Sequence, residues 1–134
     1  FLSTDCIVCA VMDARCSQVY NALFEIKNGV VTRLCDDRAL SLDDLKNELL
    51  SVDGRIIIVG DGTDITCKYI GNEIKNAESA PVNLKYQRAS STALVAFKMI
   101  NNGQTVSAQE LMPVYLRLPQ AQRELNKKLG GRTK

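Results

Sequence analysis

The sequence contains no histidine. Within this chain that excludes a Ser-His-Asp triad, a Cys-His dyad and any histidine-ligated zinc. Chemistry here would rest on carboxylates, lysine, tyrosine or cysteine alone. No apolar run approaches the ~20 residues that a membrane-crossing helix requires, so no membrane association is expected. The N-terminus, Phe1-Leu2-Ser3-Thr4-Asp5, lacks the basic leader and cleavage pattern of a secretory signal and also lacks an initiator methionine. The expectation is a piece of a longer chain. Five cysteines are an odd number, scattered through apolar segments and too sparse for a disulfide scaffold. Core thiols in a reducing, cytoplasmic compartment are expected. Cys6 and Cys9 form a CxxC, but on a strand residues three apart point to opposite faces and cannot share a metal.

What is present describes an ordinary globular domain. At 134 residues, with 46% hydrophobic and 24% charged content, the chain can bury a core of its own. Charge is uneven: residues 117–134 carry six Lys/Arg against Glu124 alone, and residues 1–116 are net acidic. Such a tail could meet RNA phosphates. No aromatic residues are interleaved for base stacking, so the favoured reading is a closing helix and solvated basic ends.

Residues 5–13 are apolar on both faces, as in a central strand. Residues 18–27 alternate, with Tyr20, Ala22, Phe24 and Ile26 on one face. Asn28-Gly29 signals a hairpin, because both residues tolerate positive φ, and leads to a third strand over 30–35. Ser41 then caps a helix whose Leu42, Leu45 and Leu49 face inward. The β-branched run 55–60 reads as a buried parallel strand and ends in the turn Gly60-Asp61-Gly62-Thr63. A helix over 64–75, a fifth strand through Val82, Leu84 and Tyr86, and a helix buried through Ala93, Ala96, Phe97 and Ile100 follow. Ser107-x-x-Glu110 is a capping-box pattern that Pro113 cuts short. Residues 114–117 should be extended, and a last helix is expected over 119–129.

With right-handed crossovers, this order folds as a mixed sheet of about five strands, order 3-2-1-4-5, with helices on both faces. That is the ribonuclease H-like topology, also the half-unit of the actin/Hsp70-type (ASKHA) fold. One α/β domain covers 1–134, with 107–134 as its C-terminal segment and helix. The topology sets Asp13 and Asp61 side by side at neighbouring strand ends. Two such acids, completed by Glu48, could bind a divalent metal, as ribonuclease H-like enzymes do. Aspartate at strand exits is also a common turn former. The Gly60–Gly62 turn before a helix could contact a nucleotide, although most such turns only reverse the chain. Cys16 beside Arg15 reads as an ordinary cysteine.

Three blocks, in order, resemble a known family. Val11-Met12-Asp13-Ala14-Arg15-Cys16-Ser17-Gln18-Val19-Tyr20-Asn21-Ala22-Leu23-Phe24 resembles the hDARxxxVYxAhF signature (h, hydrophobic) of the TsaB (YeaZ) proteins. Val59-Gly60-Asp61-Gly62 and Leu111-Met112-Pro113-Val114-Tyr115-Leu116-Arg117 are similar to that family's GDG and hxPxYLR segments. The resemblance implies the C-terminal half of a two-domain actin-like protein, a homologue of the so-called glycoproteases (the peptidase label is historical). It implies a non-catalytic scaffold in making tRNA threonylcarbamoyladenosine, joining the metal-binding catalytic relative TsaD and the ATPase TsaE, with tRNA contacted only indirectly. It implies no catalytic residue and no cofactor or metal in this chain, and leaves homodimerisation open. Asp13, Ala14, Arg15, Tyr20, Gly60, Asp61, Gly62, Pro113, Tyr115 and Arg117 are then structural or interaction residues. Asp13 and Arg15 would fix the first hairpin, and Tyr115 and Arg117 would pin the C-terminal segment to the sheet. The family's N-terminal domain, which carries the helices that pair with TsaD, is absent from this sequence.

Overall fold

A computed structural model of the chain describes residues 4–117 and Ala121. The expected last helix over 119–129 and most of the basic tail lie outside the described residues. Strand β1 (Cys6–Asp13) runs antiparallel to β2 (Gln18–Lys27), which turns at Asn28-Gly29 into β3 (Val30–Arg33). Asn28 takes φ 51° and Gly29 φ 76°, the positive values that the hairpin signal anticipates. Strand β4 (Arg38–Ser41) pairs with the first half of β2, and helix α1 (Leu42–Leu50) follows at once. Ser41 caps α1 by accepting the Asp44 N–H at 3.1 Å. Strand β5 (Ile56–Val59) lies parallel to β1, and helix α2 (Thr63–Ile70) returns to β6 (Ala77–Ser79), parallel to β5. The short α3 (Val82–Lys85) and the longer α4 (Ala89–Asn101) complete the elements.

The sheet is mixed, with order β3-β2-β1-β5-β6 and β4 added beside β2. This is the anticipated ribonuclease H-like order. One face carries the main core: Cys9, Val11, Val19, Leu23, Ile56 and Ile58 meet Leu42, Leu45 and Leu49 of α1 and Ile70 of α2. The opposite face holds a smaller cluster of Cys6, Ile26, Ile57 and Ala80, with Val8 and Val59 packed on it. The two cysteines of the CxxC therefore sit in different clusters, as strand alternation dictates.

Four local expectations are corrected. The fifth strand is Ala77–Ser79, and Val82–Lys85 is instead a helical turn in which the Leu84 N–H reaches the Pro81 carbonyl at 2.8 Å. Proline holds φ near the helical value and starts such a turn well. Strand β4 was not anticipated. Helix α2 ends at Ile70, where Gly71 takes φ 53°. Helix α4 forms, but its apolar stripe is not buried: Phe97 is 63% and Ile100 60% exposed.

A motif junction as the candidate functional site

Strands β1 and β5 end side by side, and the loops that follow them touch. The first is the hairpin 14–17, in which Arg15, Cys16 and Ser17 all hold left-handed backbone at φ 63°, 54° and 56°. Each such residue with a Cβ costs roughly 1 kcal/mol or more, so neighbours must hold the turn. Asp13 does so from inside: its Oδ1 accepts the Arg15 N–H at 2.7 Å, and its Oδ2 lies 3.4 Å from the Arg15 guanidinium. The Ala14 N–H donates to the Gln18 carbonyl at 3.0 Å, and the Leu42 N–H donates to the Ser17 carbonyl at 3.0 Å. Arg117 donates from Nη1 to the Ala14 carbonyl.

The second loop is Gly60-Asp61-Gly62. A Cβ on Gly60 would lie 2.0 Å from the Val11 carbonyl oxygen, and one on Gly62 would meet the Asp13 and Met12 backbone at 3.1 Å. Gly60 is thus dictated by close approach to the end of β1, whereas a Cβ on Gly62 would need its neighbours to give by a few tenths of an ångström. The Gly62 N–H donates to the Val11 carbonyl at 3.2 Å, and Asp61 Oδ1 accepts the Asp13 N–H at 3.3 Å. The Gly60 N–H donates to the Lys85 carbonyl at 2.6 Å, and the Thr63 N–H donates to the Gly60 carbonyl at 3.2 Å. The Gly60, Gly62 and Thr63 N–H groups are therefore all taken by protein carbonyls.

The structure thus gathers Asp13, Ala14, Arg15, Gly60, Asp61, Gly62 and Arg117 from all three motif blocks into one junction. Tyr20 lies on β2 opposite Met12 and shares a groove lining with Gly60 and Arg117. Pro113 and Tyr115 lie in irregular, exposed chain. Tyr115 is 85% exposed, so the pin expected of that tyrosine is supplied by Arg117. Glu48 is drawn to Arg38, with Nη2 to Oε2 at 2.5 Å. Among the described residues, no group of three or more His, Cys, Asp or Glu is placed to hold a metal.

Several residues escaped the sequence reading. Asn21, buried at 3% exposure, donates to the Ala10 carbonyl at 3.0 Å and accepts from Arg38 at 3.0 Å, which carries the chain of contacts on to Glu48. An asparagine at a core-facing strand position was the available signal. Asn21 also donates to the Cys9 Sγ at 3.4 Å, but burial dominates there and pushes that thiol up to about 12. Lys85, its side chain only 10% exposed, pairs with Asp64 at 2.5 Å, and that hydrogen bond raises its pKa above the ordinary lysine value. Cys16 is exposed. On the second face of the sheet lies a groove of about 740 Å³, floored by Val8, Ala10, Met12, Ala22 and Phe24 and bounded by residues 84–87 and 114–117.

A ribonuclease H-like α/β domain whose strand-end junction is built by backbone contacts defines the class of protein. No protein-family model matches the sequence, and comparison with curated proteins finds no significant match. Among solved structures, the chain is similar to the crystal structure of an uncharacterized Pseudomonas aeruginosa protein with similarity to peptidase YEAZ. The TM-score is 0.56 at 19% sequence identity, over 83% of this chain and 49% of that one. The likeness establishes a YeaZ-like fold, and the chain spans about half the length of that neighbour. No described helix is long and apolar enough to cross a membrane.

Proposed function

We propose that the chain is the C-terminal domain of a TsaB-type scaffold protein, acting without catalysis of its own in cytoplasmic tRNA threonylcarbamoyladenosine modification. Its partners on this reading are TsaD-like and TsaE-like proteins, and tRNA is reached only through them. The observation that carries the reading is the junction. Three sequence blocks that resemble the TsaB signatures come together in space, and their polar groups hold loops rather than frame an open site. The YeaZ-like fold supports the same reading. Light scattering of the protein that carries this chain, mixed with a TsaD-like protein, tests it: a complex of summed mass is expected, and two unchanged masses would refute it.

A second reading has one observation in its favour, the contact between the Asp13 and Asp61 loops. A metal-dependent ribonuclease H-like enzyme would use both carboxylates. On the scaffold reading, millimolar magnesium or manganese leaves the melting temperature unchanged, because a stabilising shift requires binding to the native state. A shift that Asp13→Asn abolishes would favour the enzyme.

A further inference from the structure

The chain holds two Asn-Gly pairs, Asn28-Gly29 and Asn102-Gly103. Such a pair is prone to lose the asparagine amide, because no side chain on the glycine shields its backbone nitrogen. That nitrogen is the nucleophile, so what its N–H is bonded to decides which pair reacts. The fold treats the two pairs differently. Gly103 closes α4 at φ 69°: its N–H donates to the Ile100 carbonyl at 3.0 Å, and the Gln104 N–H donates to the Met99 carbonyl at 2.9 Å. A helix end of this kind holds the nitrogen and its neighbours in place. Gly29 instead sits in the two-residue turn between β2 and β3, where both Asn28 and Gly29 are exposed. The ladder closes at the pair Lys27 and Val30, so the Gly29 N–H lies beyond it. The turn is anchored through the other residue, whose Asn28 N–H donates to Asp5 Oδ1 at 2.9 Å.

We propose that Asn28 is a site of spontaneous deamidation, selected over Asn102 by the fold. The Gly29 nitrogen gives its proton to solvent base and attacks Cγ of Asn28. The Cγ–Nδ2 bond breaks, and ammonia leaves with a proton. Water then opens the cyclic imide: cleavage at Cγ leaves aspartate, and cleavage at the Asn28 carbonyl carbon leaves isoaspartate. One water is consumed and one ammonia released, with no oxidant or cofactor. The Asp53-Gly54 and Asp61-Gly62 pairs present a carboxylate, a far poorer electrophile than an amide, and the Gly62 N–H is held by the Val11 carbonyl. Either product at position 28 sets a second carboxylate near that of Asp5. Isoaspartate also lengthens the backbone of the turn that fixes the register of β3, an edge strand hung on β2. This inference stands apart from the scaffold reading.

Peptide mapping by mass spectrometry tests it on the protein that carries this chain, incubated at mildly alkaline pH both folded and in concentrated urea. In the folded protein the peptide holding residue 28 is expected to convert roughly fivefold or more faster than the one holding residue 102, the weight of about one backbone hydrogen bond. In urea the two rates are expected to converge, because the bond from Gly103 to Ile100 is lost. A folded protein in which Asn102 converts as fast as Asn28, or in which Asn28 keeps its amide, would overturn the proposal. So would the same ratio of rates in urea, since the fold would then select nothing.

Discussion

The junction depends most sharply on Gly60. An alanine there would need its Cβ 2.0 Å from the Val11 carbonyl oxygen, at a backbone φ of 107°. A left-handed residue with a Cβ costs about 1–2 kcal/mol. Pushing the central strand aside adds the ~1–3 kcal/mol typical of overpacking. Loss of the Gly62 hydrogen bond to the same carbonyl adds about 1 kcal/mol. The sum is about 3–6 kcal/mol, which lowers the melting temperature of a domain this size by roughly 10–20 °C. The control is Gly54→Ala, where φ is 86° but nothing lies within 4 Å of the new Cβ, so only the backbone cost of about 1–2 kcal/mol applies. Urea unfolding of both variants gives the comparison. Equal losses would refute the claim that close approach to β1, rather than glycine's backbone freedom alone, fixes the GDG turn.

Other consequences are simpler to test. Cys16→Gly removes the cost of a left-handed Cβ at an exposed position and should stabilise by up to about 1 kcal/mol in the same assay, net of glycine's entropy. Mild alkylation at pH 8 followed by mass spectrometry should label Cys16 first and leave Cys9 unmodified until unfolding, since burial holds the Cys9 thiol near a pKa of 12. Arg38→Ala strands the Asn21 and Glu48 acceptors; because the pair is about one-third exposed, a loss of about 1–2 kcal/mol is expected from denaturant midpoints. Lys85 has a raised pKa in the folded state, so its contribution is complete below the unfolded value of about 10.4 and is lost as pH rises through the folded one. Stability measured from pH 9 to 12 should fall less steeply in Asp64→Asn than in the wild type.

How much of this was legible follows from where each signal resides. The hairpin at Asn28-Gly29 and the cap at Ser41 are local chemistry and could be read directly. The adjacency of Asp13 and Asp61 was legible through topology, because right-handed crossovers leave few ways to order the strands. Strand β4 was not legible: Arg38-Ala39-Leu40-Ser41 carries no distinctive pattern, and its pairing with Gln18–Asn21 is decided by tertiary contact. The Asn21–Arg38–Glu48 contacts depend on that strand and were hidden with it. Val82, Leu84 and Tyr86 alternate like a strand, yet a turn beginning at Pro81 took the first two and left only Tyr86 extended. For α4, periodicity identified the helix but could not say what covers it.

The central claim is that the protein is a scaffold whose motif carboxylates build structure. Nucleoside analysis of tRNA from a reconstituted modification system tests it most directly, run with the protein carrying this chain, without it, and with its Asp13→Asn, Asp61→Asn form compared at equal folded fraction. The account predicts that threonylcarbamoyladenosine forms only when the protein is present and that the folded carboxamide form supports it as well as the wild type. Modification without the protein, or its loss with a fully folded carboxamide form, would contradict the account.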